Sequence, residues 1–121
     1  MAKRILVVED VEDNRRIMHD LLTSAGFEFV EARDGEAAVS VARASLPDLI
    51  MMDIQLPVLD GYEATRRIKA ETSLQHVPVI AVTSYALSGD EEKAREAGCD
   101  GYVTKPFSPR QLLAVIDGFL T

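Results

Sequence analysis

Residues 48–63 read DLIMMDIQLPVLDGYE, and the fold of the chain is decided in this stretch. The apolar run LIMM ends abruptly in Asp53, and Pro57 and the pair Asp60-Gly61 follow shortly afterwards. An apolar run too short for a helix is typical of a strand that is buried on both faces, as in a parallel sheet covered by helices. A carboxylate at the end of such a strand is costly unless its charge is compensated. Asp53 therefore either begins a solvated loop or belongs to a site that uses its charge.

Similar runs on either side of this stretch predict the remaining strands. The predicted strands lie at 5–8 (ILVV), 27–31 (FEFVE, with one exposed face), 77–82 (VPVIAV) and, more weakly, 101–104 (GYVT). Amphipathic segments between them predict helices at 12–25, 36–44, 62–70 and 90–97, and a last helix capped by Ser108 with Pro109 at its first position. Strands that alternate with helices imply a three-layer α/β domain with right-handed crossovers.

The spacing of apolar residues predicts which side of each helix is buried. In the first helix this side carries Ile17, Leu21 and Ala25, with Met18 and Leu22 alongside, and Gly26 is predicted to end the helix. In the last helix the predicted buried stripe is Leu112, Ile116, Phe119 and Leu120. The basic residues of the third helix are predicted to form a solvated face: Arg66, Arg67 and Lys69.

Composition restricts the class of protein. The 121 residues suit one domain, 1–121, and 47% hydrophobic residues are enough for a core. A net charge of −7 argues against a nucleic-acid partner, which needs a basic surface, and is compatible with binding a cation. Cys99 is the only cysteine, which indicates a reducing compartment and predicts a small buried side chain. No signal peptide or membrane span is evident, so we expect a cytoplasmic protein with no membrane partner and no second domain.

Chemistry-bearing residues follow the ends of the predicted strands. Strand one ends in Glu9-Asp10, strand three in Asp53, strand four in Thr83 and strand five in Lys105. In sheets of this kind, ligands bind at the carboxyl ends of the strands. We therefore expect three carboxylates, a hydroxyl and an ammonium group to meet at one edge of the sheet.

This set of groups suits phosphoryl transfer. Crowded carboxylates repel one another, and oxygen ligands favour a hard divalent cation, with Mg²⁺ the natural choice. Lys105 and Thr83 can contact an incoming phosphate. Asp53, on the central strand, is the predicted nucleophile, because a carboxylate can attack phosphorus to give an acyl phosphate.

Four segments together resemble a known family. In order, ILVVEDVEDN, PDLIMMDIQLPVLDGYEATRRIK, PVIAVTSYA and AGCDGYVTKPFS resemble the receiver domain of bacterial response regulators, within the CheY-like superfamily. The resemblance covers essentially the whole chain and implies a flavodoxin-like (βα)5 fold, a doubly wound parallel sheet of order 2-1-3-4-5. Within the family the chain looks most similar to single-domain regulators of the DivK type, through MDIQLP and the GDEE-to-GC segment.

The resemblance also implies a metal site. Asp53 would be the phosphoacceptor and a ligand of Mg²⁺, for which Mn²⁺ can substitute. Asp10 would bind the ion directly, Glu9 through water, and Gln55 through its backbone carbonyl. The pair Glu9-Asp10 departs from the Asp-Asp pair of many family members. Because glutamate is one methylene longer, the position of its carboxylate is open.

Further roles are implied around the phosphoryl group. Lys105 would contact a phosphoryl oxygen, with a cis peptide bond before Pro106. Thr83 would move toward the phosphate and Tyr102 would follow it inward as a switch. Other residues have implied structural or kinetic roles: Pro57 and Gly61 shape the loop, and Gln55 and Tyr85 occupy positions that tune dephosphorylation.

The expected function is a phosphorylation switch that is not a true enzyme. A sensor histidine kinase or a histidine phosphotransfer protein would donate the phosphoryl group, and a downstream protein would read the result, with the chain a monomer or weak dimer. One alternative is a phosphorelay shuttle. Another is a Mg²⁺-dependent phosphohydrolase, disfavoured because Gln55 occupies the position where such enzymes carry a second aspartate. A flavin-binding domain is disfavoured by the acidic EDVEDN after strand one.

Overall fold

The computed structural model of the chain describes residues 2–84 and 90–120, so Tyr85 lies outside the described residues. Strands and helices alternate along these residues, as predicted from the sequence. Their bounds are β1 Arg4–Val8, α1 Glu12–Ser24, β2 Glu28–Ala32, α2 Gly35–Ser45, β3 Leu49–Asp53, α3 Gly61–Lys69, β4 Val79–Thr83, α4 Asp90–Ala97, β5 Gly101–Thr104 and α5 Pro109–Leu120. The predicted bounds were off by at most two residues at each end. The largest difference is at β4, where the predicted strand begins at 77 and the observed one at Val79.

All strands are parallel, in the order β2-β1-β3-β4-β5. This confirms the flavodoxin-like, doubly wound arrangement. The central strand β3 pairs Met52 with Val8 of β1 and Asp53 with Val82 of β4. Every residue of β3 and β4 is buried, because helices cover both faces of the sheet. Asp53 is therefore the last paired residue of a strand with no free edge.

Alternate strand residues enter two separate apolar layers. One layer combines even-numbered residues of β1 and β3, such as Leu6 and Ile50, with the inner sides of α2, α3 and α4. The other combines odd-numbered residues of β1 and β3, such as Ile5 and Met51, with the inner sides of α1 and α5. The three layers of the fold are thus helices, sheet and helices, and the carboxyl edge of the sheet is left open to the loops.

The predicted buried side of α1 was wrong in part. Met18 and Leu22 are buried as part of the core, but Ile17 is 64% exposed and Ala25 is exposed. Adjacent helical residues point about 100° apart. The sequence offered two neighbouring apolar stripes on α1, and the sheet covers the one that begins at Arg15. Gly26, with a φ of 92°, ends the helix as predicted.

The last helix follows its prediction more closely. Leu112 and Ile116 are fully buried and Leu120 is half-buried, whereas Phe119, which was predicted to be buried, is 38% exposed. At the start of α5, the Ser108 hydroxyl accepts a hydrogen bond from the Gln111 amide at 3.1 Å, and the Gln111 side chain accepts one from the Ser108 amide at 2.9 Å. This reciprocal capping explains why the helix starts at the predicted residue.

Lys69 does not belong to the solvated face predicted for α3. Arg66 and Arg67 are exposed and pair with Glu63, as expected for that face. The Lys69 ammonium instead donates to the Val77 carbonyl at 2.7 Å and to the Asp100 carboxylate at 2.9 Å. Lysine can bury its stem and keep only its charge at a polar contact, so this side chain ties the end of α3 to the turns before β4 and β5.

Two composition-based expectations can be compared with the structure. Cys99 is buried, as predicted for a small apolar side chain. Among the described helices, none combines the length and apolar character that a bilayer crossing requires.

Candidate functional site

Three strand ends bring an ammonium group and two carboxylates together. Glu9 follows β1, Asp53 ends β3 and Lys105 follows β5. The Lys105 ammonium lies 3.2 Å from Glu9 Oε1 and 3.4 Å from Asp53 Oδ2. Both carboxylates are almost fully buried, with Glu9 4% and Asp53 6% exposed. The strand-end rule thus placed these three residues correctly at one edge of the sheet.

Asp10 completes a cluster of three carboxylates. One oxygen each from Glu9, Asp10 and Asp53 lies within 4.8 Å of the others, with Asp10 the exposed member. Glu9 Oε2 is buried and has no hydrogen-bond donor among the described residues. A buried carboxylate oxygen without a donor is costly. Oxygen donors at this spacing, one of them unsatisfied, fit a hard divalent cation such as Mg²⁺.

The charges perturb one another. Burial and the contact with Glu9 raise the pKa of Asp53 to about 7, although the Gln55 amide and Lys105 oppose the shift. Burial also acts to raise the pKa of Glu9, but its contacts with Asp53, Asn14 and Lys105 outweigh burial and lower it. Burial acts to lower the pKa of Lys105, and the two carboxylates outweigh it and raise that pKa. The contact between the two carboxyl groups thus favours the ionised form of Glu9, and the pKa of Asp53 is the one that is raised.

The backbone fixes Asp53 in place. Its Oδ1 accepts a hydrogen bond from the Gln55 amide at 2.9 Å, and the Ile54 amide continues the ladder to the Val82 carbonyl at 3.0 Å. The Gly61 amide donates to the Ile54 carbonyl at 3.1 Å. A Cβ on Gly61 would lie 2.4 Å from the Asp53 carbonyl oxygen. Gly61 therefore lets α3 begin directly against the strand end that carries the carboxylate.

The loop between β3 and α3 makes a tight turn at Pro57. The Leu59 amide donates to the Pro57 carbonyl at 2.7 Å, which closes a three-residue turn around Val58. Val58 has a φ of 67° and is 80% exposed. Asp60 then caps α3 by accepting from the Glu63 amide at 2.9 Å. Pro57 thus lies in the turn predicted for it, whereas Gly61 acts through close packing and not through turn geometry.

The two residues predicted to act as a switch lie on neighbouring strands. Thr83 ends β4 and is 3% exposed, and its carbonyl accepts from the Lys105 amide at 2.7 Å. Tyr102 is half-buried on β5 and packs against the layer formed by α2, α3 and α4. The Lys105–Pro106 peptide bond is cis, as the resemblance implied. The coupled movement of Thr83 and Tyr102 stays a prediction.

Sequence reasoning missed two residues of α1 that hold Glu9. The Asn14 side-chain amide donates to Glu9 Oε1. The Arg15 guanidinium, only 8% exposed as a residue, donates to the Glu9 carbonyl at 2.8 Å and lies 3.4 Å from Glu31 Oε2. The available signal was the short loop between Asp10 and the first turn of α1, which brings that turn next to the end of β1.

A cavity of about 330 Å³ adjoins the site. Its polar lining includes Glu9, Asp53 and Lys105, and its apolar lining includes Met18, Met51 and Phe107. The cavity therefore runs from the carboxylates toward the apolar layer under α1 and α5.

The sequence of the chain matches a family model over residues 5–117, and that model describes the response regulator receiver domain. The chain belongs to this family. The receiver is 43% identical over 120 residues to the polar-differentiation response regulator DivK of Brucella anthropi, across 99% of this chain and 98% of that protein. It is equally similar to the DivK of Brucella melitensis. The chain is thus similar in sequence to regulators of the DivK type over nearly their whole length.

Solved structures of receivers superpose closely on this one. The receiver domain of the sensor histidine kinase PA1611 from Pseudomonas aeruginosa, described with a magnesium ion coordinated in its active-site cleft, gives a TM-score of 0.92 at 39% identity and covers 99% of this chain and 98% of that one. The chemotaxis protein CheY4 of Vibrio cholerae gives 0.94 at 25% identity, covering 98% of this chain and 99% of that one. The receiver therefore has the CheY-like fold along nearly its whole length.

Proposed function

We propose that this receiver is a phosphorylation switch in which Asp53 accepts a phosphoryl group from a phosphohistidine. The observation that carries the proposal is the position of the Asp53 carboxylate. It is buried at the end of the central strand, within 3.4 Å of the Lys105 ammonium and in a cluster with Glu9 and Asp10. A structural carboxylate would need one compensating charge, whereas this group sits among the components of a phosphoryl-transfer site.

The chain's own groups would hold Mg²⁺ beside Asp53. Asp10, Asp53 and the backbone carbonyl of Gln55 are the proposed direct ligands, and Glu9 is the proposed ligand through water. When bound, the ion supplies positive charge that neutralises the carboxylates and the phosphoryl oxygens. Mn²⁺ offers the same octahedral oxygen chemistry and is the proposed substitute.

The transfer step is a displacement at phosphorus. One carboxylate oxygen of Asp53 forms the new O–P bond, while the P–N bond to the donor imidazole breaks and its electron pair stays on the ring nitrogen. Asp53 must be ionised to attack. Lys105 then contacts a phosphoryl oxygen in place of Asp53 Oδ2, and the Thr83 hydroxyl donates to another.

Phosphorylation would change the surface through charge. A phosphoryl group carries about −1.5 to −2 charges at neutral pH, and it replaces the single charge of the ionised Asp53 carboxylate, so the site becomes more negative by about one charge. Thr83 and Tyr102 are the proposed residues that transmit this change, since they lie on the two strands beside the site. A sensor histidine kinase or a histidine phosphotransfer protein is the proposed donor, and a downstream protein the proposed reader.

A phosphorelay shuttle is the second candidate. The 39% identity to the receiver domain of a sensor histidine kinase favours it, because such receivers are joined to kinases. Both functions use Asp53 in the same way and differ only in the protein that takes the phosphoryl group next.

The test is phosphotransfer from a phosphohistidine donor, followed by intact mass. We expect the wild-type protein with Mg²⁺ to gain the mass of one phosphoryl group, and Asp53→Ala or excess chelator to abolish the gain. The matched control is Asp20→Asn, since the Asp20 side chain is exposed and its hydrogen bond is to the neighbouring His19. A phosphoryl gain in Asp53→Ala that equals that of wild type would overturn the proposal.

A further inference from the structure

Glu9 poses a positioning problem that an aspartate at the same place would not. Its side chain has one more rotatable bond, so fixing its carboxylate costs more conformational entropy. The group nevertheless adopts one buried arrangement at the end of β1, with 4% of the residue exposed. Something other than the strand must select that arrangement.

The contacts of Glu9 are divided unequally between its two oxygens. Oε1 accepts from the Asn14 side-chain amide and from the Lys105 ammonium, which lies 3.2 Å away. Oε2 accepts from no donor among the described residues. Two donors on one oxygen fix the rotation of the carboxylate, and this rotation leaves the second oxygen buried without a donor.

The two donors to Glu9 Oε1, Asn14 and Lys105, differ in their surroundings. Lys105 also lies near Asp53 Oδ2, so it moves with the charge state of the site. Asn14 belongs to the first turn of α1, and that turn is anchored independently of Asp53. The next residue, Arg15, donates to the Glu9 carbonyl at 2.8 Å and pairs with Glu31 of β2 at 3.4 Å. One helical turn therefore holds both the backbone and the side chain of Glu9.

We propose that Asn14 is a positioning residue that holds the longer carboxylate of Glu9 in the orientation needed to receive the cation, a role that rests on the proposed function. Asn14 donates to Glu9 Oε1 and leaves Oε2 without a donor among the described residues. It acts through Glu9 and makes no hydrogen bond of its own with Asp53. Groups that orient a ligand in this way typically change metal affinity about 10-fold or more when they are removed.

A double-mutant cycle with Glu9→Asp tests this role. Shortening Glu9 by one methylene withdraws its carboxylate by about 1.5 Å, the length of one carbon–carbon bond, and breaks the contact with Asn14. We expect Asn14→Ala to weaken Mg²⁺ binding on the order of 10-fold in the wild-type background. In the Glu9→Asp background the same change should cost less than about twofold, because the contact is already lost. Isothermal titration calorimetry on the four proteins gives the affinities.

Two controls separate positioning from folding. Thr23→Ala truncates an exposed side chain near the other end of the same helix and should leave the Mg²⁺ affinity unchanged. Urea unfolding of all variants in chelator reports stability without metal. A second readout in metal-free protein is the side-chain amide proton of Asn14 by NMR, which should resonate downfield in wild type and lose that shift in Glu9→Asp.

The outcomes are distinguishable. Wild-type binding together with a strong coupling between Asn14→Ala and Glu9→Asp supports the role. An equal loss from Asn14→Ala in both backgrounds, or no loss in either, overturns it and leaves the proposed function standing. A wild-type protein that binds no Mg²⁺ overturns the proposed function, and the positioning role with it.

Discussion

The position of Asp53 in the fold disfavours the ionised form of its carboxyl group. This carboxyl group is buried and close to Glu9, and among the described residues Lys105 and the Gln55 amide compensate its charge. The pKa of about 7 records this imbalance. A group chosen only for stability would be neutral, whereas a nucleophile must be ionised. The buried charge of the site therefore lowers the stability of the folded protein.

The first prediction is the pH dependence of stability without metal. The folded pKa of Asp53 is raised from 3.8 to about 7, so the unfolded chain releases this proton more readily, and the free energy of unfolding should fall as pH rises between those values. Glu9, whose pKa is lowered from 4.5, has its effect at lower pH, where it loses its stabilising contribution as it becomes protonated.

Asp53→Asn should remove the fall, because an amide does not titrate, and should leave the protein more stable than wild type near pH 8. Urea unfolding at about pH 5 and about pH 8 in chelator measures this difference. The prediction would be contradicted if the free energy of unfolding changed equally with pH in wild type and in Asp53→Asn.

Val58 is an exposed turn residue with an unfavourable backbone conformation. A β-branched residue with a φ of 67° is strained, at a cost on the order of 1–3 kcal/mol, and its exposure leaves little packing to offset it. Val58→Asn should stabilise the protein by about 1 kcal/mol, since asparagine tolerates the left-handed region. Val58→Ile keeps the branched Cβ and should give no gain. Thermal unfolding of the pair decides, and equal stabilities would show that the turn carries no strain.

At the element scale, the start of α3 determines where the end of β3 lies. Gly61→Ala would place a Cβ 2.4 Å from the Asp53 carbonyl oxygen, so the helix or the strand end must move. We expect a loss of about 1–3 kcal/mol from overpacking and slower phosphorylation of Asp53.

Gly118→Ala is the matched control. A Cβ there meets nothing within 4 Å, and alanine favours the helix, so this variant should gain up to about 1 kcal/mol. Denaturant unfolding and phosphorylation rates test both changes. If Gly61→Ala were as stable and as rapidly phosphorylated as wild type, the close approach would have no consequence.

Lys69 joins α3 to the turns before β4 and β5. These turns lie at the amino-terminal edge of the sheet, opposite to the edge that carries the site. Lys69→Met keeps the apolar stem and removes the contacts with Val77 and Asp100, so we expect a loss of about 1–3 kcal/mol. Arg67→Met removes only an exposed pair with Glu63 at 3.3 Å and should change stability by less than about 1 kcal/mol. Chemical denaturation compares the two. A smaller loss for Lys69→Met than for Arg67→Met would refute the structural role of Lys69.

The elements that were predictable are those whose signal is local. Buried strands such as β3 appear as short apolar runs, and the cap at Ser108 appears as a residue type. Helix faces were harder. Ile17 and Met18 are both apolar, and only the packing of α1 against the sheet decides which one is buried. The strand order came from the family resemblance, because nothing in the run of strands specifies it.

The residues of the site also divide into those that the sequence predicts and those that it does not. Glu9, Asp53 and Lys105 were predictable, because each follows a strand and the carboxyl ends of parallel strands share one edge. Asn14 and Arg15 were not, because their role depends on the direction in which α1 leaves the sheet. The short loop after Asp10 indicates that the first turn of α1 lies near the end of β1, but it does not indicate which side chains of that turn contact Glu9.

For the whole molecule, the open edge of the sheet is the feature that joins fold to function. The loops after β1, β3 and β5 meet there. Strand β4, which carries Thr83, lies next to β3, and β5, which carries Tyr102, lies next to β4. Helices cover both faces of the sheet, so these strands and their loops link chemistry at the open edge to the outer surface. This placement suits a switch whose output is read by another protein.

The chemical identity of the acceptor residue is the most direct measurement. The protein is phosphorylated with acetyl phosphate and Mg²⁺, reduced with borohydride, which converts a phosphorylated aspartate to homoserine, and mapped by peptide mass spectrometry. We expect homoserine at position 53, dependent on Mg²⁺ and absent from Asp53→Asn. Homoserine at position 10 or elsewhere in the wild-type protein, with none at position 53, would contradict the assignment of Asp53 as the phosphoacceptor.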